Sequence, residues 1–406
     1  MGQEQKDLAL SGITVIDFST VVAAPSAARV LADLGAHVIK VESKTGDATR
    51  YQDALPTLRP QSYCFTNCNS NKEFISVDIK TEGGKEVLFR LLEKADILVS
   101  NIRYKSLIKA GLDYESLKGR FPRLIYAHFN GYGYVGDDVD LPGYDMTGFW
   151  SRSGALLDGH LDDSRRLYEP AYGLGDLFCS GYFASGILAA LLGRERTGHG
   201  TRVSTSLLHA GVWANGRNIM PAQEALGDPV PLPEKWNYNM FYRPYKCADG
   251  EWLCLGFSYL QHFRLACDVF GLDDIRDDPR YQTQGALRNF EVCDELCRRL
   301  EKIIAGKPRD YWIEELRKRD LVFAPVVHAS EVPHDPQVLE NGMLEKVHFM
   351  NGTEAYLPTI PIQFTDFEVL PVKTGEKVGA DTPKILKELG YSEEEISALT
   401  AAGSVR

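Results

Sequence analysis

At 406 residues and 45.3 kDa, the chain exceeds one ordinary domain of about 100–200 residues, so its length predicts two. An apolar fraction of 44% and a charged fraction of 25% are globular values, and a chain this long buries enough surface to fold without staples. With 45 Lys and Arg against 56 Asp and Glu, the formal charge of −11 disfavours a charge-driven grip on nucleic acid across the whole molecule and leaves only a local basic patch open.

The first half alternates strand and helix patterns. Residues 13–19, ITVIDFS, read as a buried strand, and Pro25 opens a helical segment that stops at Gly35. AHVIKVES, FISVDI, ADILVSN and RLIYAHFN follow as strands, with helical stretches at Glu82–Lys94 and in DYESLKGRF. Repeated strand–helix–strand units predict a mostly parallel sheet with helices on both faces. Asp176–Arg194 is apolar on most sides, which predicts a deeply buried helix, and TRVSTSLL then alternates like a strand.

The proline-dense stretch 227–236 reads as a linker into a second region. That region opens with a hairpin turning at Asp249-Gly250 and continues with helices around Leu260–Phe270, Glu291–Ile304 and Asp310–Arg319. The tail reads as two short helices around Gly390-Tyr391.

The eight cysteines are scattered and contain no CxxC, so zinc-knuckle and thioredoxin-type motifs are excluded. Cys64 and Cys68 lie four apart, as do Cys293 and Cys297; the expectation is buried free thiols in a reducing compartment. The N-terminal MGQEQKDLALSG has no apolar core, and Lys6 breaks the myristoylation pattern. No apolar run reaches about 18 residues, the longest being Phe183–Leu192, so the expectation is a cytoplasmic protein with no membrane span.

The turn after the first strand, STVVAAPSA, lacks GxGxxG, which argues against a dinucleotide. GxSxG, HExxH and the Walker pattern are absent, and the nine histidines show no ligand spacing, so no metal is expected. Asp176 stands out. It sits in YGLGD, immediately before the apolar helix, where Gly173 and Gly175 leave room and the helix N-terminus favours an ionised carboxylate. Nearby N–H groups suit an oxyanion; a plain helix cap is the competing reading. Lys44, Arg50, Lys72, Lys80, Arg103 and Lys109 fall near strand ends or the starts of following helices, where open α/β sheets bind ligands, and such cations suit a polyphosphate; a solvated surface charge is the competing reading for each.

Taken together, the sequence resembles the family III CoA-transferases (CaiB/BaiF type), whose relatives include α-methylacyl-CoA racemases. The resemblance runs from about Leu10 to the tail. It is carried by GITVIDFSTVVAAPSAARVLADLGAHVIKVE, NKEFISVDIKTEGGKE, ADILVSNIR, GYGYVGD, GLGDLFCSGYFASGILAALLGRERTGHG and DTPKILKELGYSEEEI in this order. It implies an α/β fold: a large Rossmann-like domain built from both chain ends (1–226 and 331–406) and a smaller α+β domain (227–330). It also implies a homodimer of two interlocked rings. Acyl-CoA and a carboxylic acid would be the substrates, with coenzyme A as a substrate and no tightly bound cofactor.

The family nucleophile, an aspartate in a GxGD setting, matches Asp176. The implied chemistry runs through an aspartyl anhydride and an aspartyl-CoA thioester. Family CoA contacts fall on Val22 and Ala23 after the first strand and on Lys44 after the second. Others fall on Val77, Asp78 and Lys80, on Asn101, Ile102 and Arg103, and on Lys109. Gly143, Tyr144 and Asp145 match the segment beside the thioester.

Two departures narrow the substrate. The formyl-CoA enzymes have glutamine where Val22 stands, and a glycine-rich lid that this chain lacks near GFSYLQHF. Very small acids are therefore disfavoured. PGYDMTGFWSRSG and STSLLHAGVWANG resemble the branch acting on 2-hydroxy acids such as phenyllactate and hydroxyisocaproate in amino-acid fermentation. Val22, Tyr144, Phe149 and Trp150 suit an aryl or branched acyl group, although core packing would explain the same residues. Where the racemases carry the histidine of an HDxNY segment, this chain has Tyr144-Asp145-Met146. Tyrosine, with an ordinary pKa near ~10, is a poor proton shuttle, so transfer is expected over racemisation. A racemase, or a transferase for another acid, is the alternative. A non-catalytic CoA-binding protein would be expected to lack the aspartate.

Overall fold

The computed structural model describes residues 7–52, 56–158, 170–226, 240–257, 259–283, 286 and 289–406. The expected linker at 227–236 lies outside the described residues. The chain divides into two compact units. Among the described residues, one draws on 7–158, 170–226 and 337–406, and the other on 240–336.

The first unit is built on six parallel strands: β1 (Thr14–Phe18), β2 (His37–Glu42), β3 (Glu73–Ser76), β4 (Ile97–Ser100), β5 (Ile125–Asn130) and β6 (Arg202–Ser206). Their spatial order is β3-β2-β1-β4-β5-β6. The order reverses between β1 and β4, and the carboxyl ends of those two strands open a crevice, the usual ligand position in such sheets. The helices that place the site are α1 (Ala23–Asp33), α2 (Tyr63–Asn69), α3 (Glu82–Lys94), α4 (Tyr104–Ala110), α5 (Leu174–Thr197) and α6 (Leu207–Ala214).

Alternation along the strands feeds two cores. Val15, Val38, Ile97, Val99 and Ile125 point to one face, where small Ala24, Ala27 and Ala28 let α1 lie close beside Cys179, Phe183 and Ile187 of α5. Ile16, Ile39, Ile75 and Leu98 point to the other, against Val87, Leu88 and Leu91 of α3. The returning tail adds Ile385, Leu386 and Ile396 to that second face. It also closes the edge strand: Asp381 Oδ2 accepts the Phe74 N–H at 2.8 Å and Thr382 Oγ1 the Ser76 N–H at 3.1 Å. These bonds cover backbone donors that an open edge would leave free.

Two expectations about α5 need correction. The helix begins at Leu174, so Asp176 is its third residue and lies inside the first turn. Nor is it deeply buried: Cys179, Phe183 and Ile187 face the core, while Leu174, Phe178, Tyr182 and Leu192 are exposed. An apolar composition on most sides does not require a partner on most sides. By length and composition α5 would also be long enough to cross a membrane. The sequence reading counted only Phe183–Leu192, and the helix extends past that run at both ends.

The second unit packs an antiparallel sheet in the order β9-β8-β7 (β7 Tyr242–Lys246, β8 Trp252–Gly256, β9 Phe323–Val326) against helices Tyr259–Phe270, Phe290–Ile304 and Arg309–Lys318. The β7–β8 hairpin turns at Gly250, whose φ of 88° suits glycine. Back in the first unit, β10 (Leu344–His348) and β11 (Glu354–Pro358) form a further antiparallel pair absent from the sequence reading.

Candidate active site

The site grows from the start of α5. Gly173 precedes the helix with φ 74°, a conformation that side chains disfavour. Gly175 is required for space: a Cβ there would stand 2.2 Å from Asp145 Oδ1 and 2.6 Å from the Phe149 ring. Asp145 and Phe149 belong to a wide, π-type helical turn, Asp145–Ser151, of the kind often found at functional sites. The Asp145 carboxyl is 6% exposed and faces the N–H groups of Gly173, Gly175 and Asp176. Its Oδ1 nevertheless makes no hydrogen bond. Burial dominates, and the Asp145 pKa is raised.

Asp176 lies beside it. Burial first, then the charges of Asp145 and Cys68, push the Asp176 carboxyl up to about 7. The sequence expectation of a carboxylate kept ionised by the helix end is corrected here. The α5 N–H groups face Asp145, and burial beside a like charge outweighs the dipole. Two carboxyl groups thus share one helix start, and near neutral pH Asp176 exchanges its proton readily.

The turn after β1 forms the adjoining wall. Val21 has φ 71°, a genuine outlier for a β-branched residue. Its N–H donates to Asp47 Oδ2 at 3.2 Å. Asn101, after β4, holds the neighbouring Thr20 from both sides, accepting its N–H at 2.9 Å and donating to its carbonyl at 2.7 Å. This brings buried Val22 against the α5 start, where a Cβ on Gly173 would stand 3.6 Å from Val22 Cγ1. Strain of this kind persists where surroundings over-determine it.

Those surroundings are a buried ion cluster. Lys72 Nζ lies 2.7 Å from Asp17 Oδ2, and Lys40 Nζ lies 3.2 Å from Asp47 Oδ2 and 3.1 Å from the Ser19 carbonyl. Asp17, Lys40 and the Lys72 ammonium are fully enclosed. Burial alone would raise Asp17, but Lys40 and Lys72 overturn it and its pKa ends lowered. Burial brings Lys72 down to about 8. Arg50 grips Glu42 through two bonds of 2.8 and 2.6 Å and stacks over Phe65 at 3.7 Å. Arg50 and Lys72 were read from sequence as cations for a polyphosphate. They are instead committed to buried partners, because an enclosed cation without an anion is too costly.

The family model described as CoA-transferase family III matches residues 10–382. The chain belongs to the family III CoA-transferases. It is 33% identical to a cinnamoyl-CoA:phenyllactate CoA-transferase of Clostridium sporogenes, over 96% of this chain and 95% of that protein. It is 32% identical to an (R)-2-hydroxy-4-methylpentanoate CoA-transferase of Clostridioides difficile, over 98% and 99%. A crystal structure of a CAIB/BAIF family protein from Brucella suis superposes with a TM-score of 0.80 at 28% identity, covering 95% of this chain and all of that one (100%).

In this CoA-transferase the remaining sequence-derived positions divide. Lys44 is half-exposed and pairs with Asp78 at 3.6 Å, while Lys80 and Arg103 are exposed. Ala23 is buried at the start of α1. Ile102 presents its carbonyl to His128 Nε2 at 2.8 Å, and the Tyr134 hydroxyl bonds Nδ1 of the same ring. Burial holds that histidine down at about 4, so it is a neutral brace between the β4 turn and the loop after β5. Val77 is 3% exposed and bridges Val405, and the Asp78 N–H donates to Ser404 at 2.8 Å. The tail therefore backs this segment. Lys109 lies in the last turn of α4, away from the β4 end. Gly143 meets Gly131 backbone to backbone, and Tyr144 is exposed. Sequence reasoning did not find Asp47 or Tyr172; Cys64 and Cys68, noted there as four apart, are free thiols as expected, Cys68 buried and Cys64 half-buried.

Gly175→Ala tests the construction. The new methyl must displace Asp145, so kcat should fall about 100-fold, the scale of a misplacement near 1 Å. Circular dichroism should show the helix content retained. Wild-type turnover in this variant would contradict the arrangement.

Proposed function

We propose that this enzyme moves CoA from an aryl or branched acyl-CoA to a 2-hydroxy acid, with Asp176 as covalent relay. One observation carries the reading. A half-enclosed carboxyl with a pKa near 7 stands at the start of α5, in the same unit as the sheet crevice where a ligand would enter. A carboxylate more basic than usual is a better nucleophile at neutral pH.

The Asp176 carboxylate attacks the thioester carbonyl, and the C–S bond breaks to give an acyl-aspartyl anhydride and CoA thiolate. The thiolate attacks the aspartyl carbonyl, releasing the donor acid and leaving aspartyl-CoA. The acceptor carboxylate attacks that thioester, forming a second anhydride and freeing the thiolate again. The thiolate then attacks the acceptor's carbonyl, so the new acyl-CoA departs and Asp176 is restored. Protons balance without a redox or metal partner. The phenyllactate and 4-methylpentanoate relatives favour a large acyl group, for which exposed Tyr144 is the candidate wall, Val22 and Phe149 being enclosed.

The same reading includes a homodimer of interlocked chains in the cytoplasm. Exposed Leu174, Phe178 and Tyr182 on α5 and Trp213 on α6 favour association, and all eight cysteines are free. Sedimentation should give twice the chain mass.

The decisive assay offers purified enzyme cinnamoyl-CoA and 4-methylpentanoyl-CoA with a panel of acids and follows each acyl-CoA by chromatography. CoA should pass to phenyllactate-like or branched 2-hydroxy acids and not to formate or oxalate. Deuterium entering the α-carbon without CoA transfer would replace this reading by an epimerase. The kcat/KM profile should rise with pH through an apparent pKa near 7, belonging to the Asp145–Asp176 pair. Asp145→Asn removes the like charge, so the rise should move to lower pH.

A further inference from the structure

The peptide between Thr20 and Val21 is gripped on both edges. Its carbonyl accepts from Asn101 Nδ2 at 2.7 Å, and its N–H, that of Val21, donates to Asp47, 3.2 Å from Oδ2 and 3.4 Å from Oδ1. Asp47 is itself fixed from three sides. Its N–H donates to Glu42 Oε1 at 2.8 Å, the oxygen that Arg50 Nε also grips. Oδ1 accepts from the Thr49 N–H at 3.0 Å and from the Thr49 hydroxyl at 2.8 Å, and Oδ2 lies 3.2 Å from Lys40 Nζ. The side chain is 2% exposed. Burial would raise its pKa, but Lys40 and the Thr49 donors bring it down, so the group is a carboxylate at neutral pH. An ionised acceptor holds a backbone N–H more strongly than a neutral one. Val21 has a φ of 71°, which a β-branched residue leaves unless it is held. Beyond it, Val22 is 4% exposed, accepts the Ser26 N–H at 2.9 Å to open α1, and lies against Gly173, three residues ahead of Asp176. The Gly173 carbonyl receives the Leu177 N–H at 2.9 Å, so Gly173 belongs to the first turn of the helix that carries Asp176.

We propose that Asp47 is a positioning residue for CoA transfer, holding the Val21 turn in its left-handed form so that Val22 sets the start of α5 and with it the Asp176 carboxyl. This rests on the transfer reading, in which Asp176 is the nucleophile. Asp47 touches no substrate. It acts through three links in series: from its carboxylate to the Val21 N–H, from Val21 to Val22 along the chain, and from Val22 to Gly173 by packing. Asn101 keeps Thr20 in place, accepting its N–H at 2.9 Å as well as donating to its carbonyl. Once the Asp47 bond is lost, relief of the Val21 φ therefore displaces the chain ahead of it, at Val22, and not the strand behind it. Val22 is enclosed, so its displacement passes to the α5 start and is not absorbed by solvent. A carboxylate that only balanced Lys40 would have no need of the Val21 N–H; this one shares Oδ2 between the two.

The test is a double-mutant cycle read in kcat and in thermal unfolding. Asparagine fills the same space but offers one acceptor oxygen where the carboxylate has two, so Asp47→Asn cannot serve the Thr49 donors and the Val21 N–H together. Its kcat should fall about tenfold or more, within the roughly 100-fold scale of a misplacement near 1 Å, while KM for acyl-CoA stays within about threefold. Glycine adopts the left-handed conformation without a side-chain penalty, so Val21→Gly frees the turn from its need of a clamp. In the Val21→Gly background, Asp47→Asn should therefore lower kcat by less than about threefold. Unfolding separates this from a structural role: Lys40 loses its ionised partner in both backgrounds, so the drop in Tm should persist in both while kcat returns in one. Thr49→Val gives a milder cycle, removing only a hydroxyl bond to the same carboxylate and keeping the Lys40 pair. It should cost about threefold in kcat, and nothing measurable in the Val21→Gly background. This second cycle decides the matter should Asp47→Asn not fold. Equal fold losses in the two backgrounds, or wild-type kcat in Asp47→Asn, overturn the inference. An enzyme that transfers CoA with either result loses this inference alone. A wild type that moves no CoA to any acid overturns the transfer reading and this inference with it.

Discussion

Asp176→Asn is expected to lower CoA transfer by about 10⁴-fold or more, the scale seen when a covalent nucleophile is removed. Acyl-CoA binding should survive, because the replacement keeps shape and removes only the nucleophilic oxygen. The same variant carries a stability signature. The Asp176 pKa is raised above its unfolded value of 3.8 to about 7, so its contribution is fully present below pH 4 and is lost as pH rises through 7. Asparagine mimics the protonated form and escapes that loss. Asp176→Asn should therefore match wild type near pH 4 and exceed it by on the order of 2 kcal/mol at pH 8, after allowance for solvent screening. Thermal unfolding at the two pH values checks this. Equal stability at pH 8 would mean that the carboxyl is not held above its ordinary range.

Asp17→Ala should be the most damaging substitution away from the chemistry. It leaves the Lys72 and Lys40 ammonium groups enclosed, with Asp47 as the nearest remaining anion for Lys40. Removing one member of a buried ion pair costs about 3–5 kcal/mol, a large part of a typical stability of about 5–15 kcal/mol. Urea unfolding of wild type and variant measures the loss directly. Activity should fall too, because Lys40 also holds the Ser19 carbonyl at the base of the strained Val21 turn. A loss below about 1 kcal/mol would show that the cluster is not what fixes the turn.

Much of the scaffold can be read from the chain alone. Apolar runs such as VIDF and ILVS mark strands buried on both faces, and Thr81 and Lys94 bracket α3 at the positions where the helix begins and ends. Asp176 is legible because glycines flank a carboxylate ahead of a long apolar helix. The rest depends on pairings that sequence does not encode locally. Nothing near Arg50 announces that Glu42 and Phe65 enclose it, and nothing in the tail announces that Val405 covers Val77. Asp145 could be aligned beside the thioester, but its effect on Asp176 arises from a contact across Gly175 that only the folded backbone creates. The exposed flank of α5 misled for a related reason: composition reports what a face prefers, not what covers it.

The measurement that bears most directly on the relay is covalent capture during turnover. Enzyme cycling with a good acyl-CoA donor should be quenched with hydroxylamine, digested and mapped. The account predicts a hydroxamate on Asp176, absent without donor and absent from Asp176→Asn. Sustained CoA transfer with an unmodified Asp176 peptide would contradict it.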